Sequence, residues 1–116
     1  QYLMTENLNS KKYDLEDRTF NFAKEVIEFV NGLSKTLSNI EIGKQLVRSA
    51  GSIGANYIEA NESLGKKDFA MKIRICRKEA KESRYWLMLL NLETPSLIQE
   101  STELMKIFGA ILEKVK

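Results

Sequence analysis

Histidine is missing from this chain, and cysteine and proline each occur only once in its 116 residues. Without an imidazole there is no histidine general base, no Ser-His or Cys-His nucleophile pair and no nitrogen ligand for zinc. A single cysteine, Cys76, excludes an intrachain disulfide, which fits a reducing compartment, so a cytoplasmic location is expected. Cys76 reads as a small buried hydrophobe rather than a reactive thiol. No apolar run reaches the length of a membrane span, and no charged-then-apolar leader with a small-residue cleavage site opens the sequence. No enzymatic activity, cofactor, metal or membrane association is expected.

Hydrophobic residues make up 43% and charged residues 29%, a globular balance sized for one domain with one core. Formal net charge is only +2, yet it is unevenly placed. Eight Lys/Arg against three acids lie between Lys66 and Arg84, a local +5 that leaves −3 for the rest.

Residues 1–13 show no period and read as a flexible leader to a single domain over 14–116. Asp14 is expected to cap the first helix, with Glu16 and Asp17 in its positive first turn. The inward stripe of this helix reads Phe20, Ala23, Val26 with Ile27, Val30 and Leu33, and Asn31-Gly32 ends it. Ser38-x-x-Glu41 forms a capping box for the second helix. Its stripe is Ile42, Leu46, Ala50, Ile53, Tyr57, Ala60 and Leu64. Gly51 and Gly54 each cost about 1 kcal/mol relative to alanine in a helix. The apolar phase runs straight through them, which predicts one continuous helix whose small residues admit a close neighbour. A break near Gly51 is the alternative.

Gly65 is expected to close the second helix and Asp68 to cap the third. The third stripe is Phe69, Ile73, Cys76, Ala80, Ser83, Leu87 and Leu90, after which residues 91–94 read as a turn. Pro95 suits a helix's first position with Thr94 as cap, or Ser96-x-x-Gln99 supplies a capping box instead. The fourth helix shows Leu97, Ser101, Leu104, Phe108, Ile111 and Val115. Helices of about 20 residues, each about 30 Å long and joined by short turns, make an all-α, up-and-down antiparallel four-helix bundle.

A bundle helix needs one apolar stripe somewhat over 100° wide. The third helix has nearly twice that, because Met71, Ile75, Trp86 and Leu89 occupy an arc adjoining its core stripe. Glu79 and Glu82 lie within the widened sector. Trp86 capping the bundle edge is the plain reading; a subunit interface is the sharper one, and the one expected here. The second helix carries a polar ridge beside its core stripe: Gln45, Ser49, Ser52, Asn56, Glu59 and Ser63, flanked by Arg48. Glu59 with Glu79 or Glu82 has the makings of an acid/base or metal pair, but the di-metal bundle pattern needs Glu-x-x-His on two helices. Hydrogen-bonded packing between helices or subunits, with Arg48 neutralising one acid, is the better account.

Opposite the core of the third helix, Lys67, Arg74, Lys78 and Lys81, with Arg77 and Arg84 at the edges, share one arc of about 120°. Tyr85 lies in the same arc, and acids are absent from it. Solvated faces usually mix signs, so a single-sign row points to phosphate, although an ordinary solvated face is the bland alternative. No zinc finger, RNP aromatic pair or GXXG loop is present to read bases. Any nucleic acid, RNA or DNA, is therefore expected to be held by its backbone, with steep salt dependence.

Gln45-Leu46-Val47-Arg48-Ser49, Ser52-Ile53-Gly54-Ala55-Asn56 and Glu59-Ala60 resemble the signature of a bacterial four-helix bundle family. Its members are encoded within intervening sequences of 23S ribosomal RNA genes. Lys78-Glu79-Ala80-Lys81-Glu82 followed by Tyr85-Trp86-Leu87 resembles its second signature, and residues 13–23 resemble its usual opening. The resemblance extends, more weakly, to the accessory variability proteins of diversity-generating retroelements. It implies a bundle assembling as a ring, typically a homopentamer, with no established enzymatic activity. The retroelement relatives imply binding of nucleic acid and of a reverse transcriptase through a basic surface. Arg48, Ser52, Asn56, Glu59, Glu82, Tyr85 and Trp86 match signature positions, which speak to fold and assembly, whereas the basic row is outside the signature. The expected partners are copies of the chain itself, RNA or DNA, and a reverse transcriptase or other protein. The alternative is an oligomeric protein-interaction adaptor without a nucleic-acid role.

Overall fold

The computed structural model describes residues 14–90 and 94–115. The leader expected over residues 1–13 lies outside them, as do residues 91–93 of the expected turn. Four helices follow in order: α1 Leu15–Asn31, α2 Leu37–Asn61, α3 Lys66–Leu89 and α4 Pro95–Lys114, with no strand among the described residues. α2 packs on α1 and α3, α3 packs on α4, and α4 meets α1 more lightly to close the bundle. Long-range contacts fix the antiparallel sense. Glu59 meets Lys72 while Ser49 meets Ser83 between α2 and α3, and Arg84 meets Thr102 between α3 and α4.

The inward stripes of α3 and α4 are buried as their spacing predicts, from Phe69 to Leu90 and from Leu97 to Val115. Ile107 and Leu112 join the α4 face, and Tyr57 of α2 meets Phe108 of α4 across the core, ring centroids 6.0 Å apart. α2 runs unbroken through Gly51 and Gly54.

Several local expectations are corrected. α1 buries Leu15, Thr19, Phe22 and Val26, while Phe20 is 63% exposed and Ile27 faces outward. Two three-four spacings compete in this segment. The winning one contains a threonine whose hydroxyl donates to the Leu15 carbonyl at 2.7 Å, so it enters the core already satisfied. At the start of α2 the cap is Thr36, whose Oγ1 accepts from the Asn39 amide at 3.2 Å, and not Ser38. At its end the helix stops at Asn61, so helical phase no longer governs the residues beyond it. Ser63 turns inward and Leu64 is 93% exposed.

Gly65 accordingly opens α3 in an extended conformation instead of closing α2, and Asp68 sits in the first turn, where its charge favours the positive end. Asp14 occupies the cap position of α1 in the left-handed region (φ 37°) without a side-chain cap bond. Pro95 takes the first position of α4 behind Thr94, which makes no side-chain cap bond either.

Candidate functional site

α3 is the helix on which charge, apolar surface and acids converge. On its outer side Lys67, Arg74, Arg77, Lys78 and Lys81 are exposed and Arg84 is half-buried. The two arginines at the edge lean toward α4. Arg84 Nε donates to Thr102 Oγ1 at 3.0 Å, and the Arg77 guanidinium lies beside Gly109, 3.9 Å from where a Cβ would stand. Lys78 Nζ is 3.8 Å from Glu79 Oε2, a loose pair. Lys67, Arg74, Arg77 and Lys81 form no ion pair among the described residues. Tyr85 stands exposed next to this row, its ring edge-on to Trp86 with centroids 5.1 Å apart.

The α2–α3 seam gathers the remaining candidates. Ser49 and Ser83 share a buried hydrogen bond of 2.8 Å, and Ser83 also donates to the Glu79 carbonyl. Arg48 Nη2 reaches both Glu79 Oε1, at 3.4 Å, and Glu82 Oε1, at 3.0 Å. Glu79 is only 5% exposed, so Arg48 crosses between helices to a carboxylate that has little water of its own. Further along, Glu59 pairs with Lys72 at 3.0 Å, and this hydrogen bond holds the lysine above its ordinary pKa. Asn56 turns back to Ser52 on its own helix instead of bridging outward. Ile75 and Trp86 are half-buried at the outer edge of the seam, with Met71 and Leu89 exposed beyond them. The indole Nε1 of Trp86 is buried without a hydrogen-bond partner.

Sequence reasoning missed the ion pairs that join α1 to α4. Arg18 of α1 donates twice to Glu100 of α4, at 2.9 and 2.6 Å, and reaches Glu103 at 3.4 Å. Its partners are over eighty positions away, beyond any local pattern. Gln99 and then Arg18 hydrogen-bond Glu103 and hold its carboxyl below the ordinary value. Cys76 is fully buried, and desolvation pushes its thiol up to about 12. Among the described residues no group of three His, Cys, Asp or Glu side chains is placed to hold a metal, and no helix is long and apolar enough to cross a membrane.

The three glycines of α2 differ sharply. A Cβ at Gly43 would lie 2.9 Å from Val30 Cγ1, and one at Gly54 would lie 3.0 Å from Thr19 Oγ1. Both are there because α1 comes close. A Cβ at Gly51 would meet nothing within 4 Å.

These features define a class: an antiparallel four-helix bundle with a polar α2–α3 seam and a basic, partly apolar outer surface on α3. The model of the 23S rRNA-intervening sequence protein family matches residues 11–113. The chain belongs to that family. It is also similar to a solved structure of a protein with unknown function from the S23 ribosomal protein family of Bacteroides thetaiotaomicron. The two are 31% identical with a TM-score of 0.74, over 84% of this chain and 96% of the other. No curated protein matches it.

Proposed function

We propose that this protein is a non-enzymatic, ring-forming bundle, with a homopentamer as the expected ring, that holds nucleic-acid backbone on the outer surface of α3. The observation carrying the nucleic-acid reading is the row Lys67, Arg74, Lys78 and Lys81, exposed on one stripe and held by nothing stronger than the loose Lys78 contact. Unpaired cations of one sign give phosphate the most to gain, since no internal ion pair must break first. With about four phosphate contacts per chain, the logarithm of affinity should fall with the logarithm of salt at a slope of roughly −3 to −4. Fluorescence anisotropy with structured RNA and with duplex DNA across a salt series tests this. Reversing Arg74, Lys78 and Lys81 to glutamate should abolish binding. Absence of binding at low salt, or indifference to those reversals, would sink the reading.

The assembly reading is supported by the sector of Met71, Ile75, Trp86 and Leu89, which this bundle covers only in part. Sedimentation at micromolar concentration should show a multimer that Ile75→Ala with Trp86→Ala weakens; a clean monomer would refute it. A second reading has its own support, because exposed Met71 and Leu89 beside the cations also suit an acidic amphipathic helix of another protein, such as a reverse transcriptase. A defined partner recovered after nuclease treatment, with no direct nucleic-acid binding, would favour that adaptor role.

A further inference from the structure

We propose that the cavity between the end of α1 and the first half of α2 binds a small amphipathic carboxylate, its apolar body inside and its charge on Lys35 and Lys44. None of the lining residues belongs to α3, so the site is separate from the basic row. Its origin is a glycine. Ile40, Gly43 and Val47 share one face of α2 at spacings of three and four, which sets a residue without a side chain between two apolar ones. Val30 of α1 comes in until its Cγ1 lies 2.9 Å from where a Gly43 Cβ would stand. Beside this contact lies a cavity of about 480 Å³.

That volume falls within the range of small-molecule sites, about 300–1,000 Å³. Val30, Leu33 and Val47 line it, half-buried and packed against the core, and Ile40 adds a side chain that is 43% exposed. The α1–α2 turn at one end is fixed before any ligand arrives. The Leu33 amide donates to the Val30 carbonyl at 3.1 Å and the Thr36 amide to the Ser34 carbonyl at 2.9 Å. Asn39 Nδ2 donates to that same Ser34 carbonyl at 3.0 Å. A preformed site loses little affinity to ordering.

Charge selects the ligand. Lys35, Lys44 and Arg48 line the cavity, and no acid does. The Arg48 guanidinium is already engaged by Glu79 and Glu82, which leaves its aliphatic stem as wall. Lys44 reaches Glu41 only at 3.5 Å, with both side chains mostly exposed, a contact that a ligand carboxylate replaces with little loss. Lys35 forms no ion pair among the described residues. A neutral apolar molecule would leave both lysines unused, and a bare anion would leave the apolar lining in water. One carboxylate on one apolar body uses both halves of the site.

Isothermal titration calorimetry of the full chain with octanoate tests this, with octanol and acetate as controls that each keep one half of the chemistry. Octanoate should bind saturably, octanol roughly fivefold more weakly or worse, and acetate not at all. Lys35→Gln with Lys44→Gln should weaken octanoate by roughly fivefold to tenfold, as the loss of two exposed charge contacts does, and leave octanol unchanged. Ile40→Glu, at an exposed helical position, should weaken both probes while circular dichroism stays the same. Reversing Arg74, Lys78 and Lys81 to glutamate should leave octanoate binding intact. Binding that survives both cavity variants, or that follows the α3 reversals instead, would overturn the proposal. So would octanol binding as tightly as octanoate, or no octanoate binding at millimolar concentration.

Discussion

Arg48→Met is the substitution that most directly probes the α2–α3 seam. Its guanidinium is shared between a buried carboxylate, Glu79, at 3.4 Å and a more exposed one, Glu82, at 3.0 Å. Two unit charges 3.4 Å apart attract by about 5 kcal/mol at an effective dielectric of 20, and by about 1.2 kcal/mol in bulk water. The Arg48 side chain is 52% exposed, which draws the value toward the lower figure. The expected coupling with Glu79 is about 1.5–2 kcal/mol, against no more than about 1 kcal/mol with Glu82 despite the shorter distance. Removing Arg48 alone should cost more than the coupling, about 2–3 kcal/mol, because Glu79 is then left buried with only Lys78 at 3.8 Å. Adding Glu79→Met should recover most of that loss; adding Glu82→Met should not.

Urea unfolding followed by circular dichroism gives both double-mutant cycles, and two protein concentrations separate folding from association. If the Glu79 cycle is additive within about 0.3 kcal/mol, or the Glu82 coupling is the larger, burial does not decide this site and the reasoning fails.

Two further outcomes are expected from the packing and from the buried titratable groups. Gly54→Ala should lower stability by about 1–2 kcal/mol even though alanine is the better helix former, because the new methyl group meets Thr19 Oγ1 at 3.0 Å; a thermal melt that rises instead would contradict the close approach. Stability should also fall as pH rises above about 9. Burial pushes the Cys76 thiol from 9.0 up to about 12 and holds the Tyr57 hydroxyl well above its ordinary 10.0. Groups with raised folded values lend stability below their unfolded pKa and lose it above, so each should add a slope of about 1.4 kcal/mol per pH unit. Urea midpoints from pH 8 to 11 check this, and Cys76→Ala should delay the onset to the Tyr57 range; an unchanged profile would exclude the thiol.

How far the sequence carried depended on whether one pattern competed with another. α3 and α4 have a single unbroken three-four stripe, and their buried residues follow it. α1 holds two phenylalanines two positions apart, each with a plausible stripe. The correct stripe runs through Thr19, which hydropathy counts against burial but whose hydroxyl is satisfied within the helix. Thr36 and Ser38 are both competent caps, and only the backbone conformation selects between them. In the site, placing the cations on one arc needed only the helical period. That Arg77 and Arg84 lean onto Gly109 and Thr102 depends on which neighbour α3 acquires. The same limit separates Gly51 from Gly54, identical in sequence terms and opposite in what lies beside them.

The seam and the basic row are connected through the sequence of α3 itself. Lys78-Glu79-Ala80-Lys81-Glu82 sets Lys78 and Glu82 at i,i+4, a spacing at which a lone helix would bring cation and acid together. In the bundle this does not happen. Glu79 is drawn into the seam and Glu82 is held by Arg48 from α2. Both acids are thereby turned toward the neighbouring helix, and Lys78 retains only its loose contact with Glu79 while Lys81 keeps no ion pair among the described residues. The buried Ser49–Ser83 bond lies within the same seam and ties α2 to α3 in the register that brings Arg48 to these acids. Arg48 thus serves two ends with one contact: it compensates a buried carboxylate, and it keeps α3's own acids from quenching the charge on its outer surface.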